Sequence, residues 1–257
     1  MFEKPEFNEN NELILCTLDG KNPEMRMRIK VKRLSAGETV SIQDPLCETA
    51  VMLLEGAVRF RFDGREETGA RRDPFEKKPY ALHVCRGTAV SVVGMAPVSE
   101  IVIQQTENEK AFAPVFYDPS STLYQEFGKD QWGGAGHRIV STLFDHDNAP
   151  YSNMVLGEVF TQPGKWSSYP PHHHPQPEVY YYRFDKPQGF GAAYVGDDVY
   201  KSRDRSYIAI PGGKDHQQAA APGYEMYYVW MVRHIEGDPW LKTSRFVGRE
   251  HEWLING

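Results

Sequence analysis

Two short stretches hold residues of the kinds that bind divalent metal ions. The first, "YPPHHHPQPEVYYYRF", runs from Tyr169 to Phe184 and contains His172, His173, His174 and Glu178. The second, "IPGGKDH", runs from Ile210 to His216. Successive side chains of an extended segment point to opposite faces. His172 and His174 therefore project to one side, Glu178 shares their parity, and His173 points away. A histidine triplet between prolines, by composition alone, reads as a solvated loop before it reads as a ligand set. The second stretch changes that balance. Pro211-x-Gly213-x-x-His216 ends an apolar strand with a tight turn and returns an imidazole at the start of the next strand. Three imidazoles and one carboxylate suit a single divalent ion, Zn, Mn, Fe, Ni or Co, and leave coordination positions for water or substrate.

The elements that must position these donors are strands. Hydrophobic residues alternate with period two in "ETAVMLLEGAVRFRFDG", "YALHVCRGTAVSVVG" and "SEIVIQQT". They do so again in "HRIVSTLFD", "YSNMVLGEVFTQPG", "EVYYYRF", "RSYIAIPGG" and "YEMYYVWMV". Gly and Pro punctuate at short intervals, which is the pattern of an all-β sandwich or barrel. A turn is expected at Glu55-Gly56, and one short helix over Ser120 to Gly128 after the "DPSS" turn. The loop-like segment around residue 120 separates two β runs, so the expected domains are 1–120 and 121–257. The halves form a weak repeat. Glu48 and Glu178 each open an apolar strand, and with Gly87 laid on Gly213 the position of His216 is filled by Val90. The first domain is therefore expected to have no metal site.

The pair of motifs H-x-H-x3-E and P-x-G-x-x-H resembles the signature of the cupin superfamily. Beyond it, "GAGHRIV", "LGEVFTQPGKWSSYPPHHH", "YYYRFDKPQGFG" and "APGYEMYYVWMV" resemble the 5-deoxy-glucuronate isomerase family. The resemblance is dense from about Gly134 onward and thin before it. It implies a bicupin, two jelly-roll-like β-barrel domains in tandem, with His172, His174, Glu178 and His216 holding one metal in the C-terminal domain. It also implies a metal-dependent aldose–ketose isomerase of inositol catabolism that converts 5-deoxy-glucuronate to 5-dehydro-2-deoxy-gluconate. The chain departs from the family pattern at three places: the short Pro175-Gln176-Pro177 spacer, Ala192-Ala193 where the family carries Gln-Arg, and Gln217-Gln218. These departures keep open an isomerase of a related uronate such as the keto-deoxyuronate. A cupin oxygenase and a non-catalytic sugar-binding cupin are the further alternatives.

An aldose–ketose isomerase needs a group that moves a proton between adjacent carbons. Tyr180 and Tyr182 share the parity of Glu178, and Tyr182 is the expected proton donor or substrate contact. Glu158, a carboxylate inside the apolar strand "LGEVF", is the second catalytic candidate, and one of Tyr227 and Tyr228 should face the pocket. His83, His137, His146, His234 and His251 are isolated and expected to be structural or solvated.

Composition excludes other classes. The net charge is -6 with no Lys/Arg run to neutralise a row of phosphates, so nucleic acid is not an expected partner. No apolar run reaches the ~20 residues of a membrane span. The N-terminus lacks the basic flank and apolar core of a signal peptide. Cys16, Cys47 and Cys85 form no pair, and Cys85 reads as a small core residue. The expectation is a cytoplasmic enzyme for a small sugar acid, forming a homo-oligomer by analogy with other bicupins.

Overall fold

The computed structural model describes residues 1–243 and 245–256. The chain folds as two units that are not continuous in sequence: Pro5–Thr122 with Asn148–Met154, and Met1–Lys4 with Leu123–Asp147 and the chain from Val155 onward. Strand β1 (Phe2–Glu3) belongs to the C-terminal unit, because it pairs antiparallel with Tyr207 and Ile208. Among the described residues the longest α-helix is the single turn Trp253–Asn256, and no helix is long and apolar enough to cross a membrane.

The N-terminal unit contains β2 (Glu12–Cys16), β3 (Arg28–Leu34), β4 (Thr39–Ile42), β5 (Cys47–Phe62), β6 (Arg65–Arg71), β7 (Tyr80–Val84), β8 (Val90–Gly94), β9 (Ser99–Glu107) and β10 (Val115–Tyr117). The order β10-β7-β5-β9-β3-β2 continues through β5 to β6 and β8, and β8 pairs β4. The turn expected at Glu55-Gly56 is instead a bulge inside one sixteen-residue strand, β5. The extra residue resets the side-chain parity. Val51 and Leu53 face the core before it, and Val58, Phe60 and Phe62 face the same core after it. Gly56 takes φ +92°, and a Cβ there would lie 2.7 Å from the Ser99 Cα, so the bend requires glycine. Cys85 is half-buried, beside Thr88 Oγ1 at 3.5 Å, rather than a core residue.

Parity also separates the two glutamates that the repeat aligns. Glu48 lies on the face of β5 opposite Val51 and Leu53 and accepts hydrogen bonds instead of facing the barrel core. Its carboxylate takes the Ser152 hydroxyl at 3.0 Å, the Asn153 N–H at 2.7 Å and His83 Nε2 at 2.8 Å, all within the N-terminal unit. Glu48 and His83 are fully buried. Removing one member of such a network strands its partners in a site without water. Glu48→Ala is expected to destabilise this unit by about 3 kcal/mol, read as an earlier urea transition with metal content unchanged.

The C-terminal unit has two sheets. One runs β1-β18-β15-β20-β13-β12-β11, from β11 (Leu123–Phe127), β12 (Arg138–Phe144), β13 (Met154–Thr161), β15 (Glu178–Phe184), β18 (Tyr207–Ile210) and β20 (Met226–Arg233). The other runs β17-β16-β19-β14-β21, from β14 (Trp166–His173), β16 (Phe190–Val195), β17 (Asp198–Arg203), β19 (His216–Ala220) and β21 (Phe246–Val247). Its core draws on both sheets, with Val155, Val159, Tyr180, Tyr182, Ile208, Tyr228 and Trp230 from the first and Ala193 and Ala220 from the second. The helix expected over 120–128 is strand β11, which pairs along β12 from Leu123↔Thr142 to Phe127↔Arg138. Asp118 ends the preceding segment in a turn, accepting from the backbone of Ser120 and Ser121. A helix there would have left the edge of β12 without its ladder partner.

Candidate functional site

Strand β14 carries "YPPHH", and prolines cannot donate to a ladder. Its pairing with β19 accordingly lapses between Ser167 and His172, then resumes with His172 directly opposite His216. In the gap Ser168 adopts φ +52°, uncommon for a residue with a side chain. Its Oγ lies 3.1 Å from Tyr180 Oη. Glu178 opens β15 between Ile210 of β18 and Val232 of β20. The tight turn after Ile210 is held to the first motif by the Gly213 N–H, which donates to the His174 carbonyl at 2.8 Å.

These elements bring His174, Glu178 and His216 together, with one donor atom of each within 4.8 Å of the others and all three buried. Glu178 Oε1 lies 2.6 Å from His216 Nε2 and 3.5 Å from His174 Nε2. The His172 ring is buried too and packs 4.7 Å from that of His216. His173 points elsewhere, stacks on Phe246 and meets Asp215 Oδ1 at 2.7 Å.

The three imidazoles are held in the same way. Each Nδ1 faces a backbone carbonyl: Pro170 O at 2.8 Å for His172, Gln176 O at 2.9 Å for His174 and Lys214 O at 3.0 Å for His216. A carbonyl can only accept, so each Nδ1 carries a hydrogen and Nε2 is the ring nitrogen left for another partner. His216 Nε2 is buried, has no well-aligned hydrogen-bond partner and lies 2.6 Å from Glu178 Oε1; burial pushes the His216 pKa down, but Glu178 outweighs it and raises it. A divalent cation between them satisfies both, so the donor set fits such an ion. Burial, followed by the neighbouring His216 and Arg245, holds the His172 pKa well below its ordinary value and keeps that ring neutral. Burial pushes the Glu178 carboxyl upward, but His216 and His174 outweigh it and hold the pKa well below the usual carboxylate range.

The cluster lies in the wall of a cavity of about 250 Å³. Tyr180, Tyr228, Trp230, Val159, Arg138, Val140 and Thr142 come to it from the larger sheet, and Ser168 from the smaller. Trp240, Lys242 and Arg245 reach it from the segment after β20. The backbone N–H of Trp240 donates to His234 Nδ1 at 2.9 Å. Gly157 is glycine because a Cβ would lie 2.6 Å from both the Trp230 ring and the Ser141 carbonyl.

Two catalytic expectations are corrected by position. Tyr182 is fully buried in the core, where its hydroxyl donates to Gln218 Oε1 at 2.7 Å, and it does not line the cavity. Glu158 lies on the opposite face of β13 from Val159 and accepts the Tyr227 hydroxyl at 2.7 Å. Tyr180 is the tyrosine at the cluster, donating to Glu178 Oε1 at 2.8 Å. Parity puts 180 and 182 on one face but cannot say which of them reaches the cavity. Of the pair 227 and 228, Tyr228 faces in and donates to Ser167 Oγ at 3.1 Å. Ala192 and Ala193 do not line the cavity, and Ala193 belongs to the core. Arg138, Arg245, Trp230 and Trp240 are cavity residues that sequence reasoning missed. Arg138 stands in the quoted motif "GAGHRIV", but nothing local tells which face it takes.

The model of a family described as KduI/IolB matches residues 1–254. A 5-deoxy-glucuronate isomerase of Geobacillus kaustophilus is 25% identical over 272 residues, covering 95% of this chain and 96% of the relative. One of Lacticaseibacillus casei is 24% identical, covering 99% and 97%. Among solved structures, an IolB-like protein from Salmonella typhimurium LT2 superposes with a TM-score of 0.79 at 22% identity, covering 89% of this chain and 90% of that one. An oxalate decarboxylase of Lactobacillus farciminis matches with a TM-score of 0.63 at 12% identity, covering 91% and 82%. At such identities these two share the fold with this chain.

Proposed function

Since this chain belongs to the KduI/IolB family, we propose that it is a cytoplasmic, metal-dependent aldose–ketose isomerase that converts 5-deoxy-glucuronate to 5-dehydro-2-deoxy-gluconate in inositol catabolism. The observation that carries this is the meeting of two Nδ1-anchored imidazoles, His174 and His216, with one buried carboxylate in a cavity wall, and the equally anchored His172 packed against His216. The names of the full-length relatives supply the reaction. In this reading His172, His174, Glu178 and His216 hold the ion.

The reaction is an internal redistribution. One proton leaves the hydroxyl-bearing carbon and one arrives at the neighbouring aldehyde carbon, while a hydroxyl proton passes between their oxygens. No external oxidant or reductant takes part. A bound divalent ion would supply Lewis acidity where negative charge develops on those oxygens. The chain's own contribution is a hydroxyl relay. Tyr180 Oη sits between Glu178 Oε1 and Ser168 Oγ, so its proton can be passed at the cavity wall without bulk water. Trp230, Trp240 and Val159 present apolar surface around it and limit water's access to the reacting carbons.

The test is turnover of 5-deoxy-glucuronate and of the keto-deoxyuronate by the full chain, with and without chelator. Ketose formation from the first, lost on chelation and restored by added metal, supports the reading; turnover of neither by the metal-loaded protein overturns it. Tyr180→Phe is expected to lower kcat by about 10²-fold with metal content retained. Tyr182→Phe should leave kcat near wild type and cost about 1–2 kcal/mol of stability, because Gln218 loses its buried donor. Equal kinetic losses in the two variants would argue against the relay.

A further inference from the structure

The cavity that holds the imidazoles is also lined by cations without a carboxylate partner among the described residues. Arg138 is only 7% exposed, yet its partners are two carbonyl oxygens, Gly136 at 2.9 Å and Tyr169 at 3.3 Å, and the face of Phe127 at 5.4 Å. Among the described residues no carboxylate pairs with it. A buried guanidinium without a counter-charge is costly, since the group stays ionised. Burial lowers its pKa to about 10, which still leaves it charged at neutral pH. Arg245, exposed at the rim, stacks over Trp240 at 5.9 Å and likewise has no carboxylate partner among the described residues. It lies within electrostatic reach of Arg138, Tyr228, His172 and His216. The indole N–H groups of Trp230 and Trp240, 6% and 4% exposed, have no acceptor among the described residues. Lys242 also lines the wall but is already neutralised by Asp145 and Asp147, each at 2.9 Å.

A wall that offers two guanidiniums without a carboxylate partner calls for a ligand with an anionic, acceptor-rich end. This is a local property, because the chain as a whole is acidic, with net charge -6. We infer that Arg138, backed at the rim by Arg245, binds the carboxylate of the substrate and so fixes which end of an open-chain sugar acid faces the histidine cluster. This rests on the isomerase reading and deepens it. A planar guanidinium matches a carboxylate two-pronged, and its two backbone carbonyls hold it in a single pose.

The experiment uses the full-length, metal-loaded protein. Calorimetry compares D-gluconate with its neutral analogue D-glucitol in wild type, Arg138→Met, Arg138→Lys and Arg245→Met. Wild type is expected to prefer gluconate, and Arg138→Met to lose about 10- to 100-fold of that preference, with partial recovery in Arg138→Lys. In kinetics the KM for 5-deoxy-glucuronate rises in Arg138→Met while kcat changes far less. If Arg138→Met fails to fold, Arg245→Met at its exposed position carries the test, with a smaller loss in the same direction. Wild type binding glucitol as tightly as gluconate overturns the inference, and so does a gluconate preference that survives in both Arg138→Met and Arg245→Met. Binding is read without turnover. A protein that prefers gluconate through Arg138 yet isomerises neither uronate would keep this inference and lose the isomerase reading.

Discussion

Glu178→Gln is expected to strip the protein of its metal and lower turnover by about 10³-fold while leaving it folded. Glu178 Oε1 is the point on which the cluster converges, 2.6 Å from His216 Nε2, 3.5 Å from His174 Nε2 and 2.8 Å from the Tyr180 hydroxyl. A neutral amide supplies neither the negative charge nor the oxygen donor that a divalent ion takes there. It can, however, donate to the imidazole lone pairs, so the buried polar groups keep partners and the fold keeps most of its stability. Lewis-acid stabilisation amounts to several kcal/mol, and at about 1.36 kcal/mol per factor of ten a loss near 10³ follows. Metal stoichiometry by elemental analysis, kcat and a thermal melt read the three parts separately. Full metal content with undiminished turnover would remove Glu178 from the ligand set.

Gly212→Ala carries the largest expected effect on stability. A Cβ at Gly212 would overlap the Pro175 carbonyl oxygen and stand 2.7 Å from its carbon. Both are backbone atoms, so no flexible side chain can swing aside. Pro175 directly follows His174, and the His174 carbonyl takes the Gly213 N–H at 2.8 Å. Relief of the clash therefore drives apart the two motifs that hold the imidazoles. The expected cost is about 3 kcal/mol, a fall of about 10 °C in Tm for a chain of this size, with metal affinity weakened at least about tenfold. Gly213→Ala is the control. A Cβ there meets nothing, and only φ +77° opposes it, so the cost should stay near 1 kcal/mol. Equal effects of the two substitutions would show that turn conformation, not the approach of Pro175, makes the site.

The comparison of these two glycines shows where sequence reasoning stops. The P-x-G-x-x-H spacing singles out Gly213, whose positive φ a turn demands. It is silent on Gly212, whose need arises from a segment 37 residues earlier in the chain. The same limit appears at Glu48. Period two places a glutamate at the head of an apolar strand in both halves, yet Glu48 faces Ser152 and His83 while Glu178 faces the cavity. In β5 the bulge after Leu53 changes parity within a single strand, and alternation read across it gives two answers.

The sequence by itself determined most of the strands, through their period-two alternation, and the shared parity of His172, His174 and Glu178. Both follow from local geometry, because an extended backbone dictates where each next side chain points. Only the tertiary structure decided depth and partnership. It put Tyr180 rather than Tyr182 at the cluster, turned Glu158 to the opposite face of its strand, made 123–127 a strand, and brought Arg138 into the cavity wall. These outcomes depend on which distant strand lies alongside and where a barrel closes. Alternation along one strand assigns a face and cannot encode how far along that face the cavity reaches.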